Sequence, residues 1–583
     1  MKAENGDLMN KKKNNKTKSL TTFALAVAIV VFTNIISSFF FSRLDLTTDK
    51  RFSLSESTLE KVKSLDDFVF VKVYLEGDLP ADFKLLRNST KEMLDEFRAY
   101  NKNIQYEFIN PSEKEDKKER FKVYRQLAQE GLAYYIIPIE NKDGPAQKTI
   151  FASAQLIYRD KTLPLNLIVS SRSTPTNADI NNSIQKLELN FLTALHNLTT
   201  EKLKTIAFTT GHGELPPLET ADLAMTLAKS YNISQVKLDG KINALNKRVA
   251  MDSTHTVVEN KFDLIIISKP DSAFNEADKF IIDQYIMHGG KVIWLIDANT
   301  ATMDSLHTNK TTTIGMPKNL NLDDLFFKYG VRIKTNLVLN RNSLEIGTAE
   351  GALRRWDYFP LALPKKGHLI TDHIETLKTQ FVNSLDTISI SNVKKTILLT
   401  TDKNCRLIPA PAVVDVVDMI YRRPNPVLYN QPPQTIGVLM EGKFRSNYEN
   451  RIADPRIIKE KDFDIRNESP VTSMAFFSDG DLVRNQVIQQ QNGPFPLPLG
   501  FDRYTQKMFD NKKFILNTIN YMLGDNNLIK LRNKELRIRL LDRKKISKSK
   551  LTWQLINTII PISLILLTGM IIGLLKKYKY TKN

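Results

Sequence analysis

Cysteine occurs once in 583 residues, at Cys405. A single thiol excludes a disulfide framework, a CxxC redox pair and an intrachain zinc–thiolate centre. It leaves cytoplasm and periplasm equally open. Cys405 also lacks the glycine neighbours of a nucleophile elbow, being followed by Arg-Leu-Ile-Pro. The chain has no GxxxxGK[ST] phosphate loop, no GxGxxG dinucleotide fingerprint and no GxSxG turn. ATP hydrolysis by this chain, dinucleotide binding and serine-hydrolase chemistry thus have no sequence support, and no cofactor is indicated.

The body of the chain also has little net charge. The formal charge of +19 is concentrated at the ends: residues 1–18 carry +4, residues 526–583 carry +12, and everything between only +3. This pattern favours anionic lipid headgroups beside the ends and argues against a nucleic-acid-binding body.

Two long apolar runs adjoin those basic ends. Residues 553–575 are 23 residues without a charge, and residues 20–41 are 22 more. At about 1.5 Å per residue, either can span a hydrocarbon core of about 30 Å. The first is longer than the apolar stretch of a cleaved signal peptide and has no small-residue cleavage site after it, so it reads as an uncleaved anchor. Lys11, Lys12, Lys13, Lys16 and Lys18 place its leading side in the cytoplasm. The expected topology is two-pass in the inner membrane, with both termini cytoplasmic and a large periplasmic domain. Gly569 and Gly573, four residues apart in the second span, offer a face for close packing against another membrane helix.

Between the anchors the pattern is α/β. A strand at 68–75, a helix at 82–100, a strand at 104–110, a helix at 113–129 and a strand at 134–139 predict a small domain of thioredoxin-like size over 42–182, with a polar linker at 170–182. A larger domain follows over 183–525. Its strands at 204–210, 262–268 and 291–297 alternate with helices at 218–230 and 275–288, which is the doubly wound, amidotransferase-like pattern. Residues 322–330 read as a helix and 331–340 as a strand. Residues 341–433 read as a turn-rich insertion, 473–483 as a buried strand and 511–523 as a helix. Residues 526–552 read as a basic connector, and 1–19 and 576–583 as cytoplasmic tails.

The most site-like stretch is Gly211-His212-Gly213-Glu214, at the carboxyl end of a predicted buried strand. There, His and Glu offer an acid–base pair, metal ligands or a ligand contact, while the plainer reading is a glycine-rich turn. Asp479-Gly480-Asp481 lacks the further alternating acids of a calcium loop and reads as a turn.

Several stretches together resemble one family, the gliding-motility-associated ABC transporter auxiliary component (GldG family). They are Asp45-Leu-Thr-Thr-Asp-Lys-Arg-Phe-Ser-Leu-Ser55, Thr209-Thr-Gly-His-Gly-Glu214, Ser478-Asp-Gly-Asp-Leu482, Pro498-Leu-Gly-Phe-Asp502, Asn511-Lys-Lys-Phe514 and Arg539-Leu-Leu-Asp542. Their order along the chain carries the likeness. The resemblance implies a non-enzymatic, substrate-binding accessory subunit that works with a multi-pass permease and a cytoplasmic ATP-binding subunit; it supplies no catalytic residues. A tethered hydrolase using His212 and Glu214, and a purely structural periplasmic scaffold, are the alternative readings.

Overall fold

The computed structural model describes residues 21–33, 550–580 and, apart from short stretches, 54–533. The body, from Leu54 to Asn533, is one compact unit, and the helix Lys550–Tyr580 belongs to a second.

The body begins where Ser55 caps the helix Glu56–Lys63, its hydroxyl accepting from the Thr58 amide. The strand Val69–Val73 buries every second residue. It pairs in parallel with Ile104–Phe108 on one side and antiparallel with Ser153–Tyr158 on the other, and Lys161–Asn166 closes the sheet. The strand expected at 134–139 lies outside this sheet: Tyr134–Asn141 forms a separate hairpin with Gly144–Phe151. The second half of the expected polar linker is a helix, Asn177–Gln185, started by a capping box of Thr176 and Asp179. The next helix, Leu187–Thr199, buries Leu187, Phe191, Leu195 and Leu198 in the same core as Val69 and Phe97. This first core therefore reaches Leu198, beyond the boundary at 182 that polarity indicated.

The larger sheet is mixed. Five parallel strands lie in the order Asn232–Lys237, Thr205–Thr210, Leu264–Ser268, Lys291–Leu295, Thr472–Phe477. Numbered along the chain this is 2-1-3-4-5, one of the two common doubly wound orders. The 264–268 strand is buried at all five positions, as a parallel strand covered on both faces must be. One covering helix is Glu276–Met287, capped by Asn275. The other face is covered by Asn511–Leu523, which stops at Gly524 in the left-handed region.

Beyond 472–477 the sheet turns antiparallel through Thr435–Gly442, Val393–Thr400 and Leu353–Pro364 to Ser343–Gly347. Residues 341–433 are thus no insertion on a finished domain: they supply four of its ten strands, Ser343–Gly347, Leu353–Pro364, Leu377–Lys378 and Val393–Thr400. Their period-2 patterns are masked by prolines and turns that belong to short side ribbons. The expected strand at 331–340 divides into Val331–Ile333 and Leu337–Asn340, which pair in different ribbons.

The expected connector at 526–552 also begins inside the body. Asn526–Asn533 is a helix that buries Leu528 and Ile529 and packs on three others: Asn511–Leu523, Glu56–Lys63 and Leu187–Thr199. Around it lies a polar cluster. Asp525 accepts from the Tyr231 hydroxyl at 2.8 Å and from the Lys204 ammonium at 2.9 Å. Arg532 donates to Asn517 at 2.7 Å, and burial lowers its pKa to about 10. Glu188 accepts from both the Ser55 amide and the Thr58 hydroxyl. The first and last helices of the body therefore meet.

Of the two apolar runs, the second lies in one continuous helix, Lys550–Tyr580, whose stretch Gln554–Leu575 is long and apolar enough to cross a membrane. The first is described only as the exposed apolar helix Thr21–Thr33, about 20 Å long and short of a full span. Residues 34–41 lie outside the described residues.

Ile529 is fully buried where these helices meet. Ile529→Ala is expected to cost about 2–5 kcal/mol in urea unfolding of the solubilised protein. It should also release the 526–533 helix to limited proteolysis before the body opens.

Candidate functional site

The carboxyl edge of the parallel strands collects most of the chemistry-bearing side chains. At the switch point between Thr205–Thr210 and Leu264–Ser268 sits the Gly211–Glu214 loop. Gly211 and Gly213 have φ of +123° and +73°, backbone that other residues rarely adopt. A Cβ at Gly211 would strike the Leu238 carbonyl.

Glu214 folds back on its own loop, accepting from the Thr209 hydroxyl at 2.9 Å and the His212 amide at 2.7 Å. The His212 ring stacks on Phe274, 3.7 Å between centroids, and its Nε2 lies 3.3 Å from Asp278. Asp278 also accepts from the Gly240 amide and the Asn275 side chain. The His212 carbonyl accepts from the amides of Asp271 and Ser272. His212 and Glu214 are therefore together, as their spacing requires, but both are buried. Their polar atoms tie the loops at 211–214, 239–240 and 271–278 together. Only His212 Nδ1 is left without a hydrogen bond.

A second cluster was not legible in the sequence. Lys269 follows the 264–268 strand with φ +54° and carries its ammonium inward. It meets Asp297, just past the 291–295 strand, at 3.2 Å and Asp481 at 2.5 Å. Asp297 accepts from the Gly480 amide at 2.6 Å. Asp479 accepts from the amides of Asp481 and Gln380. Arg484 bridges Asp481, Glu219 and Asp304.

The Asp479-Gly480-Asp481 turn, opening a short 3₁₀ helix, is thus the lid of a buried ion network. Gly480 is required by space: a Cβ there would lie 2.5 Å from that of Lys269. The signal that would have found the cluster is a charged residue within two positions of the end of each buried strand, at Lys269, Asp297 and Asp479.

Charge balance in this network follows from burial. Desolvation lowers the Lys269 pKa, but Asp297 and Asp481 together raise it further, so the lysine stays charged. Burial raises Asp481, and Lys269 and Arg484 outweigh that to hold it below the ordinary carboxylate value. Asp479 is pushed well above it, first by burial and then by the charges of Asp481 and Asp297.

Oxygens of Asp297, Asp479 and Asp481 stand within 4.8 Å of one another, close enough to hold a cation. The cation between Asp297 and Asp481 is the lysine itself, which leaves no metal role to assign.

Elsewhere, Cys405 is buried and its thiol donates to the Asp402 carbonyl, with Thr401 at 3.0 Å. Gly569 and Gly573 share a face of the exposed helix, and a Cβ on either would meet nothing within 4 Å.

These features sit in a chain whose family is defined by its larger domain. Residues 203–518, more than half of the chain, match the family described as an ABC-type uncharacterized transport system, and the chain belongs to that family. It is an auxiliary component of ABC-type transport. Residues 48–157 match a domain of unknown function. An uncharacterized protein of Borreliella burgdorferi is 22% identical over 452 residues, which is 76% of this chain and 80% of that one. The mmIFT52 N-terminal domain overlaps 57% of this chain and 100% of its own at 12% identity, with a TM-score of 0.30.

Lys269→Met would leave the Asp297 and Asp481 carboxylates buried without their ammonium. The expected loss is about 3–5 kcal/mol at neutral pH. In the variant Asp297, already raised by burial, loses the ammonium that opposed the rise and moves further up, while Asp481 keeps Arg484 as its counter-ion. Protonation then favours the folded state, and the deficit should shrink as pH falls toward the carboxylate range. Chemical denaturation at neutral and mildly acidic pH measures both effects.

Proposed function

We propose that the chain is a non-enzymatic, membrane-anchored auxiliary subunit of an ABC-type transporter, with an apolar helix at each end and the body on the periplasmic side of the inner membrane. The family supplies the transport context. The observation that carries the anchoring is the meeting of the body's first helix, Glu56–Lys63, with its last, Asn526–Asn533. Both chain ends that continue toward apolar helices leave the body at one place. A body held this way has one restricted attachment, which suits a subunit that stays with its partners better than a binding protein that diffuses between them.

The partners are a multi-pass permease and a cytoplasmic ATP-binding subunit that supplies the energy this sequence has no phosphate loop to harvest. The link to gliding motility rests on the resemblance of the sequence stretches quoted above. The Gly211–Glu214 loop contributes as a structural tie at the switch point: the Glu214 carboxylate that the hydrolase alternative would use already accepts from Thr209 and His212.

Affinity capture of the tagged chain in mild detergent should bring down a permease and an ATP-binding subunit; recovery of the chain alone would overturn the reading. Gly569→Leu with Gly573→Leu should weaken permease recovery while the melting of the body stays unchanged. Undiminished recovery would remove that helix face from the interface.

A further inference from the structure

The residues on either side of Asp297, Ile296 and Ala298, open onto a cavity of about 810 Å³. It lies outside the carboxyl ends of the parallel strands, where open α/β sheets receive ligands, and its size is that of small-molecule sites. Its walls are the helix Asp323–Lys328, the strand Val331–Ile333 and the turn at Pro409 and Ala410.

Two properties of the lining define a ligand. The floor is apolar, formed by Ile296, Leu320, Leu322, Phe326 and Ile333, with Phe327 exposed at the cavity. The charged part of the lining is mostly cationic: Lys318, Lys328, Arg332, Lys334 and Arg451 against Asp323 and Asp324.

Most of these cations have partners that do not line the cavity. Lys318 pairs with Asp271, Lys328 with Glu449 and Lys334 with Asp386, while Arg451 pairs with Asp324 of the lining itself. Asp271 and Asp386 are more than half exposed. Of these pairs only Lys334–Asp386 is exposed on both sides; an exposed pair contributes at most about 1 kcal/mol, so an incoming anion can share Lys334 at small cost. Arg332, exposed on the Val331–Ile333 strand, has no ion pair among the described residues.

We propose that this cavity binds an amphipathic anion, its chain on the apolar floor and its phosphate or carboxylate head among Lys328, Arg332 and Lys334. The inference rests on the substrate-binding accessory role that the sequence resemblance implies, and it names the class of substrate.

The test titrates the full-length chain, held in an amphipathic polymer, with octyl phosphate. Inorganic phosphate and octyltrimethylammonium serve as comparisons, and calorimetry is the readout. Saturable binding of octyl phosphate, about tenfold or more tighter than either comparison, is expected. Lys328→Glu with Arg332→Glu should weaken it by about tenfold or more, with the ligand-free melting temperature unchanged.

Should that variant fold poorly, Thr335→Trp, a bulky side chain at an exposed lining position, should block the same binding. Tighter binding of dihexanoyl phosphatidic acid than of octyl phosphate keeps the proposal and identifies a membrane lipid as the source. The absence of saturable binding, equal binding of the cationic amphiphile, or undiminished binding by the folded variants would overturn it. Because no partner subunit is present, failure here leaves permease recovery, and the reading built on it, untouched.

Discussion

The organisation of this protein depends on the packing of the helix Asn526–Asn533 against Glu56–Lys63 and Leu187–Thr199. The first of these contacts joins residues more than 450 positions apart in sequence and the second more than 320. The packing is made by a short apolar face, Leu528 and Ile529, and flanked by Asp525, which takes hydrogen bonds from both Tyr231 and Lys204. The helix 187–199 ends the first core and leads directly into the first strand of the second. The entry to the body, its exit and the junction between its two sheets are therefore at one place. Movement of either core relative to the other must disturb the point from which both chain ends leave. This is a direct structural route by which a change in the body could be felt at its attachments.

The opposite requirement governs the carboxyl edge of the large sheet. Five parallel strands end there, and their exposed strand-end groups must be satisfied. The sequence does so with buried ions and tight turns: Glu214 closes the 211–214 loop, His212 ties it to Asp278, and Lys269 neutralises Asp297 and Asp481. Removing a charge from this region leaves others buried without a counter-ion, a larger penalty than the pair's own net contribution. The order along the edge matters. The switch point, where ligands of doubly wound folds commonly sit, is filled by the protein's own side chains. The open space lies instead outside the 291–295 strand, bounded by elements that follow it in sequence.

The strongly periodic parts of the fold were readable in the sequence. The apolar runs at 262–268 and 291–297 and the helix between them at 275–288 marked the parallel half of the large sheet. The pairing of the antiparallel half was not readable, because strands such as Leu353–Pro364 and Val393–Thr400 pair with partners distant in sequence and are interrupted by ribbons of their own. Polarity misplaced two boundaries. Asn177–Gln185 is polar because only Ile180, Ser183 and Ile184 face the core, and 526–533 looked like a basic connector because Lys530 and Arg532 follow its two buried residues. The Gly211–Glu214 stretch was found by its residue types, yet its inward-turned geometry depends on Phe274 and Asp278, about 60 residues later. Lys269 carried no motif at all.

The central claim, that a body with converging ends is held by an apolar helix on each side, is tested most directly by cysteine accessibility. In a Cys405→Ser background, Lys12→Cys, Lys161→Cys and Lys579→Cys would each be treated with a membrane-impermeant maleimide in right-side-out vesicles. The account predicts labelling of position 161 in intact vesicles, and of positions 12 and 579 only after permeabilisation. Labelling of position 12 or 579 in intact vesicles, or protection of position 161, would contradict it.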